Sequence, residues 1–199
     1  MTAQQTPLTL INAFEVPPRA DEQFVAAWSR ARDLLSPQPG YGGATLHRAF
    51  QPGARFRYVN VGAWQTAGHF CTATAAAGIR ADTFPFPAHP GLYQAVAAEQ
   101  RLTNGQAMVT LINPFEVPPA DDDPFVTSWD AAREQLSRQP GYHGTTLYRA
   151  VQPGTRFRYV NIAHWASADA FTSAIADPAF RAAPVPYPAS PALYQPLTG

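Results

Sequence analysis

The segment Arg55-Phe56-Arg57-Tyr58-Val59-Asn60-Val61-Gly62-Ala63-Trp64 recurs as Arg156-Phe157-Arg158-Tyr159-Val160-Asn161-Ile162-Ala163-His164-Trp165, displaced by 101 residues. The same offset maps Leu10-Ile11-Asn12-Ala13-Phe14-Glu15-Val16-Pro17-Pro18 onto Leu111-Ile112-Asn113-Pro114-Phe115-Glu116-Val117-Pro118-Pro119 without a gap. It also carries Pro39-Gly40-Tyr41 onto Pro140-Gly141-Tyr142, and Leu92-Tyr93-Gln94 onto Leu193-Tyr194-Gln195. The chain is therefore two copies of one unit, of about a hundred residues each. Whatever fold is assigned must be built twice. A domain of that size is marginal alone, so the copies are expected to share an interface. A period this long argues against a solenoid of short repeats.

Each copy reads as the same series of elements. Leu8 to Phe14 is apolar on both faces, which suits a strand covered on both sides, and Pro17-Pro18 stops it. A helix follows from Asp21. Phe24, Trp28, Ala31 and Leu35 make one stripe, repeated by Phe125, Trp129, Ala132 and Leu136, and both tryptophans read as core. In copy two Asp123 is the expected N-cap and Pro124 the first helical residue. Pro39-Gly40-Tyr41 ends the helix. Gly43–Phe50 and Arg55–Val61 then form a hairpin around Gln51-Pro52-Gly53. In the second of these strands Phe56, Tyr58 and Asn60 share one face, while the arginines Arg55 and Arg57 lie on the other and pair with acids. Thr66 and Ser167 are expected to cap a second helix. A proline-rich loop leads to a short last strand at Leu92-Tyr93-Gln94. The order β-α-β-β-α-β is the ferredoxin-like motif. The fold class is α+β: two ferredoxin-like repeats, 7–97 and 108–198, joined by a linker at 98–107, with their sheets forming an α+β barrel within the chain.

Lysines and arginines total 14 and acids 14, so no basic surface points to nucleic acid. Cys71 is the only cysteine. That excludes an internal disulfide and a cysteine-rich metal site. No stretch has the length and apolarity of a membrane span, and the expected location is the cytoplasm. The histidines show no metal-ligand spacing, so no metal is expected. No phosphate-binding glycine loop, nucleotide fingerprint or Ser-His-Asp set is present.

The strand Phe-Arg-Tyr-Val-Asn-x-x-x-Trp, the Pro-Gly-Tyr after the first helix, and the Ser/Thr-x-x-x-Phe that follows resemble the antibiotic biosynthesis monooxygenases, a family of dimeric α+β barrels. The resemblance covers both copies. It implies that the tandem copies build within one chain the pair that single-repeat members form as homodimers, as a monomeric pseudo-dimer or a further homo-oligomer. One branch of the family oxidises anthrones and related polycyclic phenols with O₂ and no cofactor. By that resemblance Asn60, Trp64, Asn161 and Trp165 are the catalytic candidates. The asparagine amide would stabilise an oxyanion, and the tryptophan would wall the pocket and stack on the substrate. His47, in mid-strand, is the candidate base in copy one, with Tyr148 its polar counterpart in copy two. Asn12, Phe14 and Tyr58, and Asn113, Phe115 and Tyr159, are expected to contact the substrate. A second branch degrades haem and uses a histidine late in the second helix; Thr83 and Pro184 stand there, so no haem is expected. The expected function is a cofactor-independent monooxygenase acting on an aromatic polyketide-like phenol or anthrone. The alternatives are a non-catalytic module that binds a hydrophobic small molecule, and haem degradation.

Overall fold

The structure is a computed structural model that describes residues 7–80, 83–100, 109–182 and 184–197. Copy one runs β1 (Leu8–Phe14), α1 (Asp21–Leu35), β2 (Tyr41–Ala49), β3 (Tyr58–Trp64), α2 (Ala67–Ala76) and β4 (Ala88–Gln100). Copy two runs β5 (Val109–Phe115), α3 (Asp122–Ser137), β6 (Tyr142–Ala150), β7 (Tyr159–Trp165) and α4 (Ala168–Ala176). A single extra turn, α5 (Pro178–Arg181), then precedes β8 (Ala192–Pro196). In the first sheet β1 lies antiparallel between β3 and β4, and β2 lies beside β3, giving the order β4-β1-β3-β2. The second sheet repeats it as β8-β5-β7-β6. Each copy is thus the expected ferredoxin-like βαββαβ unit of an α+β protein.

Strand β3 begins at Tyr58, three residues later than the sequence pattern suggests. The preceding arginines are held chiefly by their side chains, although the Arg57 carbonyl also accepts from the Ala49 N–H at 2.9 Å. Arg57 forms a two-point pair with Asp21 at the start of α1, and Arg55 meets Glu15 just beyond β1. Arg158–Asp122 and Arg156–Glu116 repeat both pairs. The paired carboxylate also explains the start of α3. That helix opens at Asp122, not at an Asp123 cap, because Asp122 turns to Arg158. Pro124 then falls within the first turn, where a missing N–H costs nothing. The capping expected at the second helices is present: Thr66 Oγ1 accepts from the His69 N–H and Ser167 Oγ from the Ala170 N–H, both at 3.0 Å.

The last strand of copy one is much longer than expected. It continues to Gln100, so the first three residues of the sequence-derived linker are strand. The rest of that linker lies outside the described residues. The two compact units are Met1–Gln94 with Ala150–Thr155 and Pro196–Gly199, and Ala95–Arg149 with Arg156–Gln195. Within the first unit, the Leu92 carbonyl accepts from the Val151 N–H and the Leu46 carbonyl from the Leu197 N–H. Each unit is therefore completed by chain from the other copy, which is the physical content of the marginal size argument.

In the first unit, Phe24 of α1 is fully buried among Phe14, Val16, Leu46 and Tyr58. Its ring meets Phe14 edge-on at 4.8 Å and stacks on Tyr58 at 4.6 Å. Enclosure of this kind makes such a ring worth about 3–5 kcal/mol against alanine. Phe125 does the same among Phe115, Val117, Leu147 and Tyr159. These clusters clamp the N-terminal half of each long helix to its sheet. A cavity opens between the C-terminal half of each helix and its sheet. Among the described residues no helix is long and apolar enough to cross a membrane.

Candidate functional site

Such a cavity is found in both copies. The first, of about 580 Å³, is lined by α1 through Trp28, Ala31, Arg32 and Leu35, and by the sheet through Leu10, Asn12, Ala44, Asn60, Gly62 and Trp64. Phe84 and Phe86 of the proline-rich loop close one side. The second, of about 320 Å³, has the corresponding walls in Trp129, Ala132, Arg133 and Leu136 and in Leu111, Asn113, Thr145, Asn161 and Ala163. Both volumes suit a small organic ligand.

Asn60 and Trp64 lie on one face of β3, with Gly62 between them, because alternate residues of a strand share a face. Asn12 is the cross-strand partner of Asn60, and Asn113 of Asn161. The expected residues Asn60, Trp64, Asn12 and Phe14 are thus gathered around the first cavity, and Asn161, Asn113 and Phe115 around the second. Trp165 is not. It is fully buried between Tyr142 and Phe171, at 5.4 and 5.5 Å, and does not line the cavity.

Tyr58 and Tyr159 are corrected as substrate contacts. They pack in the aromatic clusters, and their hydroxyls are directed at Asp21 and Asp122. Burial raises the Tyr58 phenol and pushes that of Tyr159 up to about 12. His47 and Tyr148 are corrected as base candidates. His47 is paired with Val59 and Tyr148 with Val160, whereas Leu46 and Leu147 face Asn60 and Asn161. Both therefore lie on the sheet face opposite the cavity. Arg48 is likewise off the site, paired with Asp21 at 2.7 Å.

The two tryptophans read as core turn out to hold the site together. Trp28 Nε1 donates to Asn60 Oδ1 at 3.0 Å, and Trp129 Nε1 to Asn161 Oδ1 at 3.2 Å. An indole N–H only donates, so it fixes which end of the amide is oxygen. The Nδ2 group of Asn60 then sits beside Gly62: a Cβ at that glycine would lie 3.7 Å from it. Asn60 presents a donor to the cavity. Asn12 and Asn113 each keep a buried Oδ1 without a hydrogen-bond partner. The sequence carried a signal for Trp28, since a tryptophan needs a partner for its polar edge when it is enclosed.

Sequence reasoning also missed Arg32, Arg80 and Tyr41, which line the first cavity. Arg32 lies over the Trp28 ring at 5.3 Å. Burial raises the Tyr41 phenol above its ordinary value, so at neutral pH it is a hydroxyl donor. Among the described residues, none lining either cavity is a histidine or a carboxylate. Arg32 is paired with Asp33 at 3.0 Å and Arg133 with Glu99 and Asp130 at 2.7 Å. The arrangement therefore offers hydrogen-bond donors, set in aromatic and aliphatic walls, to a flat ligand that carries or develops negative charge.

The antibiotic biosynthesis monooxygenase profile matches residues 7–81 and again 108–184, most of both copies. The chain belongs to this family. Among solved structures, an anthrone oxidase-like protein superposes with a TM-score of 0.76 over 100% of this chain and 94% of its own, at 15% identity. A proposed monooxygenase of Fusobacterium nucleatum gives 0.64 over 100% and 94%, at 13% identity. A monooxygenase-like protein of Listeria innocua gives 0.52 over 98% and 97%, at 11% identity. At these identities the likeness is one of fold. No curated protein is significantly similar in sequence.

Proposed function

We propose that this family member is a cofactor-independent monooxygenase that oxidises an aromatic polyketide-like phenol or anthrone with O₂. The observation that carries the reading is the amide of Asn60, oriented by the Trp28 indole inside an aromatic-walled cavity of about 580 Å³. The fold likeness to an anthrone oxidase-like protein supports it.

The chemistry asks little of the protein beyond binding and electrostatics. An anthrone that has lost a proton is electron-rich enough to reduce O₂ itself. Carbon–oxygen bond formation gives a hydroperoxide at the former methylene; loss of water from it leaves the new carbonyl. The sum is CH₂ + O₂ → C=O + H₂O. Catalysis then consists of favouring the deprotonated ring. Asn60 would donate to the oxyanion, and the Tyr41 hydroxyl and the guanidinium N–H groups of Arg32 and Arg80 would add further donors. Trp64 and Phe14 would hold the ring flat, and Asn12 would accept from a substrate hydroxyl. In copy two Asn161 takes the donor role, with Asn113 and Phe115 on the ring, while Trp165 supports the pocket from behind. The proton would leave to water, since no carboxylate or imidazole among the described lining residues stands ready to receive it.

That last feature favours a second reading, a module that binds an aromatic ligand without turning it over. Oxygen uptake with an anthrone in metal-free buffer separates the two. Quinone formation above the spontaneous rate, lost in Asn60→Ala/Trp64→Phe or in Asn161→Ala/Trp165→Phe, is the expected result. Tight binding by tryptophan fluorescence without any acceleration would replace the oxygenase with the binding module.

A further inference from the structure

The two cavities are not equivalent: Ile175 and Phe180 line the second where Thr74 and Ile79 line the first, and a further difference lies at the floor beside the asparagine. Ala44 and Gly62 are cross-strand partners in copy one; Thr145 and Ala163 occupy the same register in copy two. Each member of the pair has gained bulk. Gly62 is not among the glycines with positive φ, so its backbone does not require glycine. A Cβ there would stand 3.4 Å from the Ala44 methyl, an ordinary contact. What glycine provides at that position is space next to the Asn60 Nδ2. In copy two the space is filled twice. The Ala163 methyl occupies it, and the Thr145 hydroxyl donates to Asn161 Oδ1 at 2.6 Å, a bond for which Ala44 has no equivalent. The larger cavity also has Phe84 and Phe86 along its side, where the smaller one has Val185. Trp64 lines the first cavity and Trp165 does not line the second.

We propose that this cross-strand floor pair sets ligand size: Ala44 and Gly62 let a three-ring aromatic lie against Asn60, while Thr145 and Ala163 restrict copy two to a ligand of one or two rings. This rests on the reading that the cavities take aromatic ligands. One chain then has a wide site and a narrow one on the same scaffold, and the floor pair is the difference that lies against the asparagine.

The test is calorimetric titration of the full chain under anaerobic conditions, so that no ligand is consumed. The probes are 1,8-dihydroxyanthrone, with three fused rings, and 1-naphthol, with two. The wild type is expected to bind one anthrone and two naphthols. Ala44→Thr/Gly62→Ala should weaken anthrone binding about ten- to two-hundredfold, the range a misplaced methyl produces in an apolar pocket. It should keep both naphthol sites, which also shows that the variant is folded. Thr145→Ala/Ala163→Gly should raise the anthrone stoichiometry to two. Two equal anthrone sites in the wild type, or unchanged anthrone affinity in the narrowed variant, overturns the proposal. The expected stoichiometries without oxygen uptake would refute the oxygenase reading and leave the size rule standing. Binding of neither probe would overturn both.

Discussion

The indole–amide bond is the feature on which the proposed chemistry turns, and the two copies test it against each other. Among the described residues, the Trp28 indole is the side chain donating to Asn60 Oδ1 in copy one; in copy two the Asn161 oxygen has Thr145 as well as Trp129. Replacing Trp28 by Phe removes the donor and leaves a nearly enclosed acceptor, since Asn60 is 7% exposed. An acceptor orphaned in this way costs about 1–3 kcal/mol. The cavity gives water some access, which places the expectation near 1 kcal/mol. The lost ring area adds a cost unrelated to the bond. A double-mutant cycle with Asn60→Ala cancels it, because only the interaction survives the subtraction. The same cycle on Trp129 and Asn161 should give a coupling well below that of copy one, since Thr145 still satisfies the oxygen. Urea denaturation of the four variants in each cycle supplies the numbers. A freed amide should also turn, so Trp28→Phe should lower anthrone oxidation more than it lowers anthrone binding. Zero coupling between Trp28 and Asn60, or a larger coupling in copy two, would refute the claim that the indole fixes the amide.

Other outcomes follow from the scaffold. The Arg57 hydrogen bonds hold the Asp21 carboxyl below its ordinary value, so the stability it contributes is present above the unfolded carboxylate range and is lost as pH falls through the folded value. Asp21→Asn should therefore cost about 1–3 kcal/mol at pH 7, less than a fully buried pair, with the gap to wild type closing below about pH 4 in acid denaturation. Gly40→Ala should destabilise far more than Gly43→Ala in thermal melts. Both glycines have positive φ, but a Cβ at Gly40 would fall 2.4 Å from the His69 ring, and one at Gly43 would meet nothing within 4 Å. Thr66→Ala should cost about 1 kcal/mol through the lost cap of α2, and Ser167→Ala about the same in α4, read from urea midpoints.

Most of the fold was legible because the signals were local and occurred twice. The bounds of β1, the onset of α1, the two side-chain caps and the arginine–acid pairs all follow from residue type and spacing. The extension of β4 was not legible. Ala95-Val96-Ala97-Ala98-Glu99-Gln100 has little strand character of its own. It takes part in the second compact unit, where Glu99 meets Arg133 at 2.7 Å. Tertiary context supplied what propensity lacked.

The misplaced base has a sharper cause. Tyr41 lines the cavity, and strict alternation from it would place residues 43, 45 and 47 on the same face, His47 among them. The register slips between Tyr41 and Ala44, where Gly43 adopts a φ of +103°. That bulge moves the cavity face onto Ala44 and Leu46 and turns His47 to the other side. Copy two has the same slip between Tyr142 and Gly144, with the same result for Tyr148. The period of a strand can be read from its sequence; its phase beyond a bulge depends on how the partner strand is engaged. The glycine pair after Tyr41 was the available warning. For the proposed function the consequence is direct: with His47 turned away, the site would work by hydrogen-bond donation, and the proton would leave through water. A rate that rises with pH toward the phenol's own ionisation, with no inflection in the imidazole range, is what such a site should show. A rate governed by a group titrating near neutrality, and lost in His47→Gln, would return the histidine to the mechanism.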